Sequence, residues 1–292
     1  MAQIVNKAKL QYNNVTVVSN EAKTNLEEPI AIAKCSLDDT YTLNKEITYI
    51  VSIKNNNVCS ECSIKIVDDL GGNVCPETPS TPLEYVGNAK LFLENSTTCV
   101  NVRPTTTAPT LEFNLPYIPP QTVATLVYKA KVTNYADLVV GSTITNTIVA
   151  TACNCTVEDD YTVLVEEYAD VQMVKSMSPN PVVNGGSIVY TFDVYNYGNV
   201  SASSDAVFSD TFNPAPKNIS VKVNGVPLVY EEDYIYDETT GLLTITNTPE
   251  NVVIPIEPAT ITRNEEDCTV TVTPSETTIE VTGTLPNVTC GG

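Results

Sequence analysis

The chain has no histidine and no tryptophan among its 292 residues. Without histidine it lacks the usual general base, the usual zinc ligand and every Ser-His or Cys-His pairing, which argues against most hydrolase chemistry. It also has no apolar run near the roughly 20 residues that a membrane-spanning helix needs. We therefore expect neither an enzyme with a cofactor nor a membrane-inserted protein.

Basic residues are scarce as well, because 15 Lys and Arg face 35 Asp and Glu and the formal net charge is -20. A surface of this sign repels phosphate backbones and anionic lipids, so nucleic acid and membrane faces are not expected partners. The opening stretch MAQIVNKAKLQY has no charged region followed by an apolar core and does not match a signal peptide. An extracellular location would therefore need earlier processing, or release by another route such as lysis of a spore's mother cell.

The abundant residues favour β-structure. Apolar residues make up 42% of the chain, which also contains 15 Tyr and 19 Pro, a composition that suits strands and turns. The length is sufficient for two domains that each bury a core.

Nine cysteines fit an oxidising location, and their odd number leaves at least one thiol free or paired between chains. We expect disulfides of undetermined connectivity and no metal, with a four-thiolate zinc site at Cys59, Cys62, Cys153 and Cys155 as the alternative. The disulfide candidates are Cys35, Cys59, Cys62, Cys75, Cys99, Cys153, Cys155, Cys268 and Cys290.

An internal repeat organises the chain. Residues alternate between apolar and polar from Ile47 to Ile53 and again from Ile188 to Val194, as in strands with one buried face. Four residue types recur 141 positions apart, which indicates duplication. The pairs are Lys34 and Lys175, Tyr49 and Tyr190, Asn55 and Asn196, and Asp69 and Asp210.

A later match, Leu126 with Ile279, has a spacing of 153, so the second repeat carries a net insertion of twelve residues.

Short strands separated by Pro-, Asn- and Gly-bearing turns predict an all-β fold of two tandem immunoglobulin-like antiparallel sandwiches. The most specific segments are EITYIVSIKNN, VDDL and TITNT. Over nearly its whole length the chain resembles the immunoglobulin-like repeat of bacterial surface proteins, and clostridial two-repeat proteins proposed as spore appendages look similar. The resemblance implies a filament on a cell or spore surface.

The second repeat stops early. In the first repeat two closing strands follow, at 141–148 and 161–165, whereas the 153 spacing places Gly292 opposite Val139. The missing piece stands at the start of the chain, where Ile4 to Ala8 match Ile144 to Ile148 at a spacing of 140. We therefore expect residues 1–28 to be donor strands, residues 29–168 a first domain and residues 169–292 a second domain without its closing strands.

An incomplete sandwich exposes a groove and open sheet edges, which another copy's N-terminal hairpin can fill. Such a contact is heterologous and propagates head to tail, so the predicted partners are copies of the same chain. The alternative is that residues 1–26 fold back onto their own second domain or pad the first, but the linker at 27–29 is short for the former.

Lys, Asp and Asn recur in both repeats, at Lys34, Asp69 and Asn146 and at Lys175, Asp210 and the donated Asn6. These are the ingredients of the spontaneous isopeptide bond of Gram-positive pilin domains. Burial favours a neutral amine nucleophile, and Asp69 or Asp210 relays protons. Lys34 would bond Asn146 within a domain, and Lys175 would bond Asn6 of a neighbour. Alternatively, the lysines are solvated strand ends and Asn146 caps a turn.

A fibre subunit is therefore the preferred function. The alternative is a monomeric adhesin or ligand-binding module, in which the Tyr- and acid-rich segment Tyr230–Tyr236 forms a contact patch or a weak calcium site. An enzyme is a distant third, with self-crosslinking as the only reaction that the residues suggest.

Overall fold

A computed structural model describes residues 3–56, 63–76, 78–94, 96–152 and 154–287. The chain divides into two compact units. The first contains Met1–Asp137, Gly141–Val165 and Glu265–Thr269, and the second contains Leu138–Val140, Glu166–Asn264 and Val270–Gly292. Among the described residues, no helix has the length and hydrophobicity required to cross a membrane.

The N-terminal segment is a single hairpin, and each of its two arms consists of two short strands. They are β1 (Gln3–Asn6), β2 (Lys9–Tyr12), β3 (Val15–Val18) and β4 (Ala22–Asn25). Strand β1 pairs with β4 and β2 with β3, and both pairings are antiparallel. Asn13 and Asn14 have positive φ angles, +43° and +65°, which suits a two-residue turn whose twist matches the strands. Every residue of these strands is exposed.

The first unit is a sandwich of two five-stranded sheets. One sheet has the order β10-β9-β12-β7-β5 and the other β11-β8-β13-β14-β6. The strands are β5 (Ile30–Ser36), β6 (Thr40–Tyr41), β7 (Glu46–Asn55), β8 (Ile64–Asp68), β9 (Leu83–Leu93), β10 (Cys99–Asn101), β11 (Leu111–Leu115), β12 (Val123–Val132), β13 (Thr143–Ala152) and β14 (Cys155–Val165). Pairing is antiparallel except between β14 and β6.

The second unit has a five-stranded sheet of order β15-β16-β24-β18-β19, a three-stranded sheet β17-β21-β20 and a β22-β23 hairpin. Its strands are β15 (Val171–Ser178), β16 (Ser187–Asn196), β17 (Val207–Thr211), β18 (Lys217–Val223), β19 (Val226–Pro227), β20 (Tyr234–Asp237), β21 (Leu242–Thr246), β22 (Thr260–Arg263), β23 (Val270–Thr273) and β24 (Ser275–Thr284). A 3-10 turn spans Ser203–Asp205.

Alternating side chains build both cores, as the sequence predicts. In β7 the residues Ile47, Tyr49, Val51 and Ile53 are buried, and in β16 Ile188, Tyr190, Phe192 and Val194 are buried. The all-β fold of antiparallel immunoglobulin-like sandwiches with an N-terminal hairpin is therefore confirmed.

Candidate functional site

The first unit contains a lysine in its core. The side chain of Lys34, on β5, has no solvent exposure, and its Nζ lies 2.7 Å from Oδ2 of the equally buried Asp68. Nζ also donates to the backbone carbonyl of Asn146, at 2.7 Å, and lies 4.8 Å from the ring centroid of Tyr49. The backbone N–H of Lys34 donates to Asp159 Oδ2, at 2.7 Å, which ties β5 to β14. The contacts of Lys34 with Asp68 and Asn146 therefore link three strands.

The acid at this lysine is Asp68, and the Asp69 assignment needs correction. The apolar alternation of β8 continues from Ile64 and Ile66 to Asp68, so that carboxyl group points into the core. Asp69 follows on the opposite face, where its Oδ1 accepts from the backbone N–H groups of Gly71 and Thr147, both at 2.9 Å. Asp69 therefore holds the turn after β8 against β13. The acid beside Lys34 is Asp68, and not Asp69 as predicted.

Asn146 is completely buried on β13, and neither polar atom of its side-chain amide has a partner at hydrogen-bonding geometry among the described residues. The same holds for the buried hydroxyl of Tyr49. The Asn146 amide lowers the pKa of the hydroxyls of both Tyr49 and Tyr128, although burial raises each pKa more. Buried polar groups in this state are rare.

Two further hydrogen bonds hold Asp68. The hydroxyl of Tyr128 donates to Oδ2, and the backbone N–H of Leu70 donates to Oδ1 at 3.0 Å. The rings of Tyr49 and Tyr128 stack at 5.6 Å, from paired positions on β7 and β12. Sequence reasoning missed Tyr128 and Asp159, although Tyr128 lies on the buried face of an alternating strand.

Burial lowers the pKa of Lys34, and the attraction of Asp68 opposes this shift only in part. Desolvation disfavours the ammonium form, so the neutral amine that a nucleophilic attack requires is more accessible here than on a solvated lysine.

The second unit has a related but more open pair. Nζ of Lys175, on β15, lies 2.6 Å from Asp210 Oδ2, and the two side chains are 39% and 19% exposed. Nζ also lies 5.1–5.3 Å from the ring centroids of Tyr190, Phe192 and Phe212. The second unit therefore also places an acid and aromatic rings around a lysine, but this lysine is partly exposed to solvent.

The exposure of Lys175 follows from the strand order. In the first unit β8 pairs with both β11 and β13, and β14 lies against β5. In the second unit the corresponding strand β17 pairs only with β21 among the described residues. Beside it lies an apolar groove of ≈ 270 Å³, lined by Val171 and Met173 of β15, Val207 and Phe208 of β17, and core residues including Ile254 and Ile279.

The N-terminal hairpin has the pattern of the β13-β14 hairpin. Tyr12 is the last paired residue before the turn of the N-terminal hairpin, and Asn6 lies six positions before it. Ala152 is the last paired residue before the turn between β13 and β14, and Asn146 also lies six positions before it. The buried positions of β13 correspond to Ile4, Asn6, Ala8, Leu10 and Tyr12. Asn6 itself is exposed and pairs with Ala22.

No protein-family model matches the chain, and no curated protein matches it. Solved structures similar to it include the major pilin subunit BcpA of Bacillus cereus, with 12% identity over 94% of this chain and 74% of that one and a TM-score of 0.36. A 35 kDa C-terminal fragment of the major pilin GBS80 of Streptococcus agalactiae has 12% identity over 86% and 91%, with a TM-score of 0.35. The collagen-binding subdomain of the Enterococcus faecalis surface protein ACE covers 47% of this chain and 96% of its own length, at 12% identity and a TM-score of 0.32. These values are too low to carry an argument about function.

The cysteines separate into three groups. Cys75 and Cys268, both in the first unit, form a disulfide, and Cys35, Cys99 and Cys155 are free thiols. Cys59, Cys62, Cys153 and Cys290 lie outside the described residues, and so does most of the alternative zinc set. Within the described ranges, no group of three or more Cys, Asp or Glu side chains is placed to hold a metal ion.

The Tyr-rich segment shapes a second cavity, of ≈ 370 Å³, lined by Tyr230, Tyr234, Tyr236, Glu238, Asn218 and Ile219. Asp233, an acid of the weak calcium site considered from the sequence, accepts from the backbone N–H of Val229 at 2.7 Å.

Proposed function

We propose that the chain is the structural subunit of an extracellular bacterial fibre, on a cell or spore surface. Each subunit inserts its N-terminal hairpin into the second unit of a neighbouring copy, where the hairpin takes the place that β13 and β14 occupy in the first unit. The chain is not an enzyme beyond the cross-linking of its own side chains. The Cys75–Cys268 disulfide is compatible with an oxidising location.

The match between the hairpin and the groove carries the proposal. Strand β17 has an open edge among the described residues, and the adjacent groove is apolar. The hairpin is exposed on both faces, and one of them carries Ile4, Ala8, Leu10 and Tyr12 at the alternating positions that β13 buries. A strand added to an open edge gains a ladder of backbone hydrogen bonds, and its alternate side chains enter the groove. The alternation of the hairpin and the apolar lining of the groove therefore support this insertion.

Covalent bonds would then lock each unit. In the first unit the neutral Nζ of Lys34 attacks Cγ of Asn146, forming an amide bond. The bond from Cγ to Nδ2 breaks, and one amine proton passes through Asp68 to the departing nitrogen, which leaves as ammonia. The reaction also removes Nδ2 of Asn146, which is buried and has no partner at hydrogen-bonding geometry within the described part of the chain. An unsatisfied buried group of this kind costs about 1–3 kcal/mol.

At a junction between subunits, Asn6 of the inserted hairpin would occupy the place of Asn146, opposite Lys175 and Asp210. The same insertion would cover Lys175, which is 39% exposed in the single chain, and would remove it from water. Each junction along the fibre would therefore copy the interior of the first unit, including its cross-link.

Denaturing electrophoresis in reductant, followed by peptide mass spectrometry, tests the proposal. The natural chain should give a ladder and an Asn6–Lys175 peptide lighter by one ammonia. Lys175→Ala, Asn6→Ala and Asp210→Ala should each give monomer, whereas Lys34→Ala, a matched change in the first unit, should keep the ladder. Deleting residues 1–26 should abolish fibres in native electron microscopy. Ladders in the Lys175→Ala chain, or fibres formed by the deleted chain, would contradict the proposal.

The second candidate is a monomeric ligand-binding module, which the tyrosine-lined cavity beside Glu238 favours. Rings and a carboxylate around an open cavity suit a cationic or sugar ligand. Monodisperse monomers in size-exclusion chromatography, with no growth on concentration, would favour this function over the fibre.

A further inference from the structure

The closing strand of the first unit buries two alanines near its end. Ala150 of β13 pairs with Ile66 of β8, and Ala152 follows two residues later on the same face. The two alanines are 0% and 6% exposed. The spacing of 140 that relates the N-terminal hairpin to β13 places Leu10 and Tyr12 at these two positions. The hairpin therefore carries two large side chains where the first unit has only methyl groups.

The strands that receive these side chains also correspond between the units. Asp68 of β8 and Asp210 of β17 each bond the lysine of their unit, and they lie 142 positions apart. In both strands, alternate residues before the acid face the core. The spacing of 142 matches two such pairs, Ile66 with Phe208 and Ile64 with Ala206.

This correspondence gives the register of an inserted hairpin. Because Ala150 pairs with Ile66, Leu10 would lie opposite Phe208. Continuing the register by two residues places Tyr12 opposite Ala206. Phe208 and Ala206 both line the apolar groove of ≈ 270 Å³. The empty volume of the second unit therefore lies where the two large side chains of the hairpin would arrive.

The sizes of the facing residues are exchanged between the two units. In the first unit the large Ile64, which is 3% exposed, would face the small Ala152 in this register, whereas in the second unit the small Ala206 would face the large Tyr12. Protein cores are filled to a nearly constant density, so a small residue on one strand leaves room for a large one opposite. Tyr12 is 54% exposed in the single chain and is free to enter such a space.

We propose, on the basis of the strand donation described above, that Leu10 and Tyr12 determine which hairpin the second unit accepts. Leu10 is 65% exposed in the single chain and, like Tyr12, would become buried only in the groove of another copy. Ala206 provides the space for Tyr12. These three residues make the N-terminal hairpin of another copy the matching occupant of the groove.

The same residues exclude the wrong pairings. The β13-β14 hairpin of another copy presents only Ala150 and Ala152 to the groove, which would leave it partly empty and forfeit packing contacts. The reverse error, insertion of the N-terminal hairpin into a first unit, would bring Tyr12 against Ile64 and overpack that core. Specificity of this kind comes from the misfit of the competitor as well as from the fit of the partner.

Three neighbouring hairpin substitutions test the role of the two side chains, in full-length chains that also carry Lys175→Ala so that no covalent bond hides a change in affinity. Sedimentation gives the critical concentration for fibre assembly. Leu10→Ala and Tyr12→Ala should each raise it by at least about 30-fold, because each removes a large side chain from a packed site. Gln11→Ala, at the place of the exposed Thr151, should change it by less than about 2-fold.

A size exchange tests the contact between Tyr12 and Ala206. Ala206→Ile, which copies Ile64 of the first unit, should raise the critical concentration by at least about 10-fold through overpacking. Adding Tyr12→Ala to the Ala206→Ile chain should lower the critical concentration below that of either single variant, because the new isoleucine then faces an alanine. A double variant that assembles no better than the worse single variant would show that the two residues do not meet.

The outcomes separate this inference from the proposed function. The hairpin comparison does not depend on the folding of a groove variant, since residues 10–12 are exposed in the single chain. Equal effects of Leu10→Ala, Gln11→Ala and Tyr12→Ala would overturn the selective role of Leu10 and Tyr12 even if fibres form by strand donation. Failure of the natural chain to form fibres would instead contradict strand donation itself.

Discussion

Two adjacent hairpin residues provide a sharp test of strand donation. Ile4 and Val5 are similarly exposed in the single chain, at 52% and 49%. In the inserted hairpin Ile4 would take the place of Ile144, which is 2% exposed, and Val5 that of the exposed Thr145. The two side chains should therefore contribute very differently to fibre formation, although nothing distinguishes them in the free hairpin.

The magnitude follows from burial. Covering the exposed half of Ile4 is worth about 1 kcal/mol. The cavity left by an Ile→Ala change in a packed core brings the total loss to about 2–5 kcal/mol. Since about 1.4 kcal/mol is a factor of ten in affinity, Ile4→Ala should raise the critical concentration for assembly by at least about 30-fold. Val5→Ala, on the outward face, should change the association free energy by less than about 0.5 kcal/mol.

Sedimentation of fibres at a series of protein concentrations measures this difference. The comparison is made with Lys175→Ala chains, so that a covalent bond cannot hide a change in affinity. Equal effects of Ile4→Ala and Val5→Ala would show that the hairpin does not insert in the register of β13. A larger effect of Val5→Ala would mean that the opposite face is buried.

Two further predictions concern pH and salt. Burial lowers the pKa of Lys34, and the neutral amine is the nucleophile. The rate of Lys34–Asn146 bond formation should therefore rise with pH and reach a plateau at a pH below 10.5, the usual pKa of lysine. A rate that still increases above pH 10.5 would contradict a buried nucleophile. The hairpin carries three Lys and one Glu, whereas residues 166–292 carry eighteen acidic and four basic residues, so fibre elongation followed by light scattering should slow by about 10-fold as salt rises from low to high ionic strength. Replacing Lys9 and Lys23 by Gln should weaken that dependence, and an elongation rate insensitive to salt in the natural chain would exclude electrostatic steering.

Much of the fold follows from patterns with a period of two. The alternation at Ile47–Ile53 and its copy 141 residues later correctly predicted β7 and β16, since a strand with one buried face has few other ways to arrange its apolar residues. Matching Asp69 with Asp210 extended the same spacing too far. One residue is missing between Asn55 and β8 relative to the second repeat, so the true counterpart of Asp210 is Asp68, as the alternation from Ile64 also indicates.

Other features of the site depend on contacts that local patterns do not encode. The Cys75–Cys268 disulfide joins residues 193 positions apart, and nine cysteines allow too many pairings for sequence alone to choose one. Which groups surround the Tyr49 hydroxyl and the Asn146 amide depends on how the two sheets that carry β7 and β13 pack together. The alternating pattern shows that both residues face the core, but it contains no information about their hydrogen bonds.

The exposed hairpin has a consequence for the two ends of a filament assembled as proposed. One end always presents a free, lysine-bearing hairpin, and the other presents an empty apolar groove in an acidic unit. The filament therefore has a direction, and its two ends are chemically distinct. A host structure that offers only a groove would anchor one end, and a short peptide with the hairpin sequence would stop growth at the other, so length and attachment can be controlled separately.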